Sequence, residues 1–230
     1  MLAGIHQPEH LPWCGLLHKI INVDVFVFLD SVQFKKNYFE NRNIVYNENG
    51  PFWLTLPIQM KGHISKRFCE MEIVDNWKKK YVESLKQNYR KSPFFQDCSS
   101  TIDFIDNFHG LNLADLNIGI ICNVLEMLNS NTIILRSSQM DVSGSSSELL
   151  VNILNDINAN EYLVGKSGFD YMNLDLFKNS NIKLTPHQFK SPQYKHFRNL
   201  EITKTPSFFD VLSNIGLSEF EKMLKRKYEN

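Results

Sequence analysis

The chain has 230 residues, 43% of them hydrophobic and 22% charged, with 25 basic side chains against 25 acidic ones. Such a composition supports a folded core and leaves little room for disorder beyond the termini. The even charge balance provides no global field to gather nucleic acid or an acidic membrane.

No stretch approaches the roughly 20 apolar residues that span a bilayer. The start lacks a basic region followed by a long apolar core, so no export signal is expected. Cys14, Cys69, Cys98 and Cys122 are scattered, with no CxxC pair. That pattern points to reduced thiols in a cytoplasmic protein without a structural zinc site.

Along the chain, Leu2 to Ile5 reads as a short strand, and the two prolines between His6 and Pro12 break regular structure. Trp13, Leu16, Leu17, Ile20 and Ile21 fall on one stripe of a helix. Val25 to Leu29 is a continuous apolar run, as in a strand covered on both faces. From Ser31 to about Asp75 the character turns polar and aromatic. A strand is expected over Phe52–Ile58 and another over Met71–Val74, an antiparallel excursion.

Helices are expected over Trp77–Tyr89, Asp103–Phe108 and Leu113–Leu128. Strict alternation follows: strand Thr132–Arg136, helix Ser145–Ile157 with Ser145 to Ser147 as N-cap donors of oxygen, strand Glu161–Val164, helix Tyr171–Lys178 and strand Ile182–Thr185 closed by Pro186. Two short helices, Phe208–Asn214 and Ser218–Lys227, form the tail. Alternation of this kind predicts one α/β domain over residues 1–230. Its Rossmann-like parallel sheet is flanked by helices, with a β-rich insertion over about 31–75, a helical insertion over 76–128 and a helical tail.

In open parallel sheets, ligands bind beyond the carboxyl ends of the strands. The residues placed there are His6, Gln7 and His10, then Asp30, Gln33, Lys35 and Lys36, then Arg136, Ser137 and Ser138, then Gly165, Lys166, Ser167 and Gly168, and finally His187 and Gln188. They are expected to share one rim.

His6 and His10 precede a helix that carries His18, and imidazoles before a helix N-terminus can hold nucleotide phosphates. Nucleotidyl-transfer enzymes with an HxGH-type signature use such an arrangement, although the spacing differs here and the intervening glycine is absent. Loop capping by these histidines, or metal ligation by His6, Glu9 and His10, are the competing readings. Lys35, Lys36 and Arg42 interleave with Gln33, Phe34, Tyr38 and Phe39. Charge for phosphate and rings for a base or sugar face suit a phosphorylated sugar, while a solvated hairpin is the plain alternative. Asp30, directly after a buried strand, is a candidate base. Gly165-Lys166-Ser167-Gly168 lacks the full phosphate-loop pattern but can offer backbone N–H groups to an anion; otherwise it is an ordinary strand-to-helix turn.

A wider set of residues carries a family resemblance. Gln7-Pro8, Leu11-Pro12-Trp13, Gly15, Asp24 to Val27, Leu29-Asp30 and Val32-Gln33-Phe34 form its N-terminal block. Asn41-Arg42, Trp53-Leu54, Pro57, Arg136 to Ser138, Tyr162-Leu163, Gly165, Gly168 and Tyr171 continue it, and Pro192, Tyr194, Ser207, Asp210 to Leu212, Asn214 and Gly216 close it. With these the chain resembles the WbqC-like family of surface-polysaccharide proteins. It departs from the family at Leu16-Leu17, where an aromatic pair is usual, and at Lys195-His196, where a glutamine is usual.

The resemblance implies a place in O-antigen or other surface-glycan assembly, with glycine or another acyl group attached to an amino sugar or nucleotide sugar. In that reading His6, His10 and Asp30 are catalytic. Gln7, Trp13, His18, Gln33, Lys35, Lys36, Asn41, Arg42, Arg136, Ser137, Ser138, Gly165, Lys166, Ser167 and Tyr171 bind substrate. ATP is a possible activator, and no metal is assigned. The alternatives are a non-catalytic sugar-nucleotide or glycan-binding partner of a biosynthetic complex, or a nucleotidyltransferase-like enzyme.

Overall fold

The computed structural model describes residues 1–225. Five strands, β1 (Leu2–His6), β2 (Val25–Phe28), β5 (Ile133–Arg136), β6 (Glu161–Val164) and β7 (Lys183–Pro186), form one parallel sheet in the order β5-β2-β1-β6-β7. Between β2 and β5 lie an antiparallel hairpin, β3 (Arg42–Asn47) and β4 (Gly50–Thr55), and three helices, α2 (Lys78–Tyr89), α3 (Ser99–Asn107) and α4 (Leu113–Met127). The remaining helices are α1 (Cys14–Ile21), α5 (Ser146–Asp156), α6 (Leu174–Asn179) and α7 (Phe208–Lys225). The molecule is therefore an α/β protein of the expected class. Among the described residues no helix is long and apolar enough to cross a membrane.

Side-chain alternation along the strands divides the interior into two cores. Phe26, Phe28 and Leu163 point into one, with α1, α2, α4 and α7. Ala3, Ile5, Val25, Val27, Tyr162 and Val164 point into the other, with α5 and α6. Both faces of the sheet are covered, which is why its strands read as unbroken apolar runs. Pro186 is tolerated within β7 because β7 is an edge strand whose inner side alone pairs.

Several local expectations are corrected. Residues 42–47, read only as polar and aromatic, form β3 because Ile44-Val45-Tyr46 is a β-prone buried run. Met71–Val74 is not a strand: Ile73 and Glu72 make only isolated bridges, to Ile58 and Asn112. The expected helix from Tyr171 begins at Leu174, where the Asn173 side chain accepts from the N–H of Asp175 at 3.2 Å. At α5 the hydroxyl of Ser145 makes no cap bond, and Ser147 instead accepts from the N–H of Asn173.

The tail contains the two expected helical segments. Gly216, at φ 80° and ψ 162°, interrupts helical geometry within α7, a conformation suited to glycine. The last residues of the second expected segment, 226 and 227, lie outside the described residues.

Gly15 in α1 is fixed by close approach. A Cβ there would stand 2.1 Å from Cη2 of Trp13. Gly15→Ala is expected to cost about 1–3 kcal/mol through overpacking. The change should appear as a lower denaturant midpoint with an unchanged slope.

Candidate functional site

The strand order reverses direction between β1 and β6, the first and fourth strands of the sheet in chain order. Ligands in open α/β sheets bind in the crevice at that switch point. A cleft of about 990 Å³ lies there, bordered by the carboxyl ends of β1, β6 and β7 and by α1. His6, Lys19, Lys166, Ser167, His187 and Lys190 supply its polar lining; Trp13, Phe169 and Phe189 supply aromatic wall. Among the described residues Asp170 is the single carboxylate in that lining.

Each polar group has a structural cause. His6 ends β1, and its Nδ1 lies 2.8 Å from the carbonyl of Gln7. A carbonyl only accepts, so Nδ1 carries the proton and Nε2 bears a lone pair. Burial and the nearby charge of Lys19 lower the His6 pKa to about 4, so the ring is neutral at pH 7.

Lys19 is 4% exposed, and its Nζ donates to the carbonyl of Ile5 at 2.9 Å. Desolvation lowers its pKa to about 7. His18 and His187 face each other, with Nδ1 and Nε2 2.9 Å apart. The pKa of His187 falls to about 3 through burial and then through the charges of His18, Lys19 and His6. The ring of Trp13 meets Phe189 edge-on at 5.6 Å. Residues 166–170 form a tight 3-10 turn after β6, leaving Lys166 and Ser167 exposed at the cleft edge.

The rim expected from the sequence divides into separate places. Asp30, Arg136, Ser137 and Ser138 do come together, at the ends of β2 and β5, and Asp30 is fully buried. One of its oxygens accepts from Nε of Arg136 at 2.8 Å and from the Ser138 hydroxyl at 2.8 Å; the other accepts from the Ser138 N–H at 2.9 Å and the Ser137 hydroxyl at 3.3 Å. Arg136 also pairs with Asp115 at 2.6 Å. Both oxygens of Asp30 are thus engaged in holding Arg136 and the 137–138 turn.

His10 stands apart from the rim, wholly buried between α2 and α4. The amide nitrogen of Asn117 donates to the carbonyls of Pro8 and Glu40, so its oxygen faces Nδ1–H of His10 at 2.9 Å. Nε2 of His10 then accepts from the Tyr81 hydroxyl at 2.6 Å. Burial lowers its pKa to about 4. The chain turns at Leu11, which has φ 40°, and this loop carries His10 inward although its neighbours in sequence serve the sheet end.

Of the other expected ligand-binding residues, Asn41 is buried and donates to the carbonyl of Leu56, and Gln33 donates to that of Ile64. Lys35 stands over the Tyr38 ring at 4.2 Å, and Arg42 over Trp53 at 4.2 Å. Lys36 is exposed. Tyr171 is 69% exposed, and its pKa is raised, by partial burial first and then by the charge of Tyr38.

The model of the WbqC-like protein family matches residues 7–222, which is nearly the whole chain. The chain belongs to the WbqC-like family. An uncharacterized protein of Mycobacterium tuberculosis, Rv1507c, is similar to this WbqC-like chain at 27% identity over 220 residues, covering 93% of this chain and 94% of the relative. No solved structure matches it.

Within the WbqC-like chain, Trp13 and Gly15 of the N-terminal block lie against the cleft, as does Gly165. Lys19 is not placed at the site by the sequence, and His187 is placed on the rim without a role. His187 is visible as the polar residue after the last parallel strand. For Lys19 the available signal is that α1 is apolar almost all round, so its lysine has no polar face to occupy.

Proposed function

We propose that this WbqC-like protein is a transferase of surface-glycan assembly that attaches glycine or another acyl group to an amino sugar carried on a nucleotide. The observation that carries this reading is the switch-point cleft, whose lining among the described residues includes Lys19, Lys166 and Lys190 against one carboxylate, Asp170. Lysine side chains suit phosphate oxygens, and Trp13, Phe169 and Phe189 offer surface to a base or sugar ring. ATP would serve to activate the carboxyl donor. The O-antigen setting comes from the family resemblance, and Lys166 and Ser167 are the residues assigned to the phosphates.

Incubation with ATP, glycine and a panel of nucleotide-linked amino sugars should yield a glycyl adduct by mass spectrometry. Lys166→Ala should weaken nucleotide binding about tenfold, the loss of one charge-assisted hydrogen bond, as measured by calorimetric titration. A second reading, a non-catalytic sugar-nucleotide-binding partner, is favoured by the engaged oxygens of Asp30 and the burial of His10. It requires binding without an adduct from any acceptor.

A further inference from the structure

We infer that the amine of Lys19, standing in the crevice where β1 and β6 part, is the proton acceptor for an attacking amine substrate. This inference rests on the transfer reading above.

The position follows from strand register. β1 and β6 pair at Leu2↔Glu161, Ala3↔Tyr162 and Gly4↔Leu163 and then stop, whereas β1 continues beside β2 to His6↔Phe28. The carbonyl of His6 faces β2, because it accepts from Leu29. Backbone groups of successive strand residues point to opposite sides, so the carbonyl of Ile5 faces β6 at the level where pairing has ended. Lys19 fills that missing ladder position from α1, donating to Ile5 at 2.9 Å, with Nζ 5.5 Å from the centre of the Tyr162 ring.

An ammonium used only for structure is normally paired when buried. No carboxylate lies within ion-pair distance of Lys19 among the described residues. Near it are His6 from β1, Tyr162 from β6 and His187 after β7, and His18 precedes it on its own helix. Lys166, Lys190 and Asp170 line the same cleft further out. Removal from water disfavours the charged amine and lowers its pKa to about 7. The neighbouring imidazoles, lowered further to about 4 at His6 and 3 at His187, are poor acceptors at neutral pH.

In the step, the acceptor amine attacks the carboxyl carbon of an acyl phosphate or acyl adenylate. The N–C bond forms, the C–O bond to phosphorus-bound oxygen breaks, and its electron pair leaves on that oxygen. The amine proton passes to Nζ of Lys19, and the resulting ammonium faces the departing phosphate.

Competitive acetylation with acetic anhydride from pH 5 to 10, read residue by residue by mass spectrometry, tests the amine directly. Lys19 should become reactive with a midpoint near neutrality, about 3 pH units below exposed lysines. A midpoint above pH 9, or no modification at any pH, overturns the inference. Lys19→Arg keeps a donor for Ile5 but holds its proton; it should lose adduct formation at least a hundredfold. Equal adduct from wild type and Lys19→Arg also overturns the inference while leaving the transfer reading intact. Absence of adduct from the wild type overturns the transfer reading, and the acetylation midpoint then still decides the state of the Lys19 amine.

Discussion

Asp30→Ala is expected to lower stability by about 3 kcal/mol, the cost of removing one partner from a buried ion pair. The carboxylate is fully buried, and its loss leaves Arg136 with Asp115 alone while the N–H of Ser138 and the hydroxyls of Ser137 and Ser138 lose an acceptor. For a chain of this size the fall corresponds to a Tm lower by about 10 °C. Asp30→Asn, which keeps one acceptor oxygen but not the charge, should lie between wild type and alanine. If both variants melt within 2 °C of wild type, roughly the effect of 1 kcal/mol or less, the Asp30–Arg136 knot does not hold the ends of β2 and β5.

The second large effect concerns Glu9. It is 5% exposed and one of its oxygens is buried without a hydrogen-bond partner. Burial raises its pKa to about 8, opposed by the backbone N–H of Trp13 and assisted by the charge of Glu40. Glu40, itself buried with one unpartnered oxygen, is raised to about 7, by burial first. A carboxyl raised in the folded state binds its proton more tightly there than in the unfolded chain. The stability this contributes is complete below the ordinary value of 4.5 and is lost as the pH climbs through about 8.

Glu9→Gln removes that ionisation and retains an oxygen for Trp13. Its stability relative to wild type should therefore rise between pH 5 and pH 9, by on the order of 3 kcal/mol. Paired denaturant titrations at the two pH values measure the difference. Because His6, His10 and His187 titrate in both proteins, their own pH dependence cancels in the comparison. A variant that tracks wild type at both pH values would show that Glu9 is ionised at neutrality.

The sheet is legible in the sequence because parallel strands covered on both faces leave short apolar runs, and all five runs identified that way are strands. The residues following those strands are likewise legible by position: Asp30 with Arg136, and His6 with Lys166, are neighbours because neighbouring strands end together. What a residue does there depends on direction, which spacing does not carry. His10 lies only four residues beyond His6, yet the turn at Leu11 sends it inward to Asn117 and Tyr81. Asp30 falls at a strand end as expected, but the donors that occupy its oxygens come from a segment more than a hundred residues away. Lys19 escaped because a stripe pattern treats a lysine between apolar residues as the solvated side of a helix, whereas α1 is buried on nearly every side. The run Ile44 to Tyr46 was hidden by its polar flanks, Arg42-Asn43 and Asn47, which serve the hairpin ends.

The cleft between the ends of β1, β6 and β7 is the centre of this account, and the position of a bound phosphate tests it most directly. Crystals soaked with UDP-N-acetylglucosamine should show the diphosphate within hydrogen-bond reach of Lys166 and Ser167, with the uridine or sugar ring against Trp13, Phe169 or Phe189. A diphosphate found instead along α2, beside Lys78 and Lys79, with the switch-point cleft empty, would contradict it.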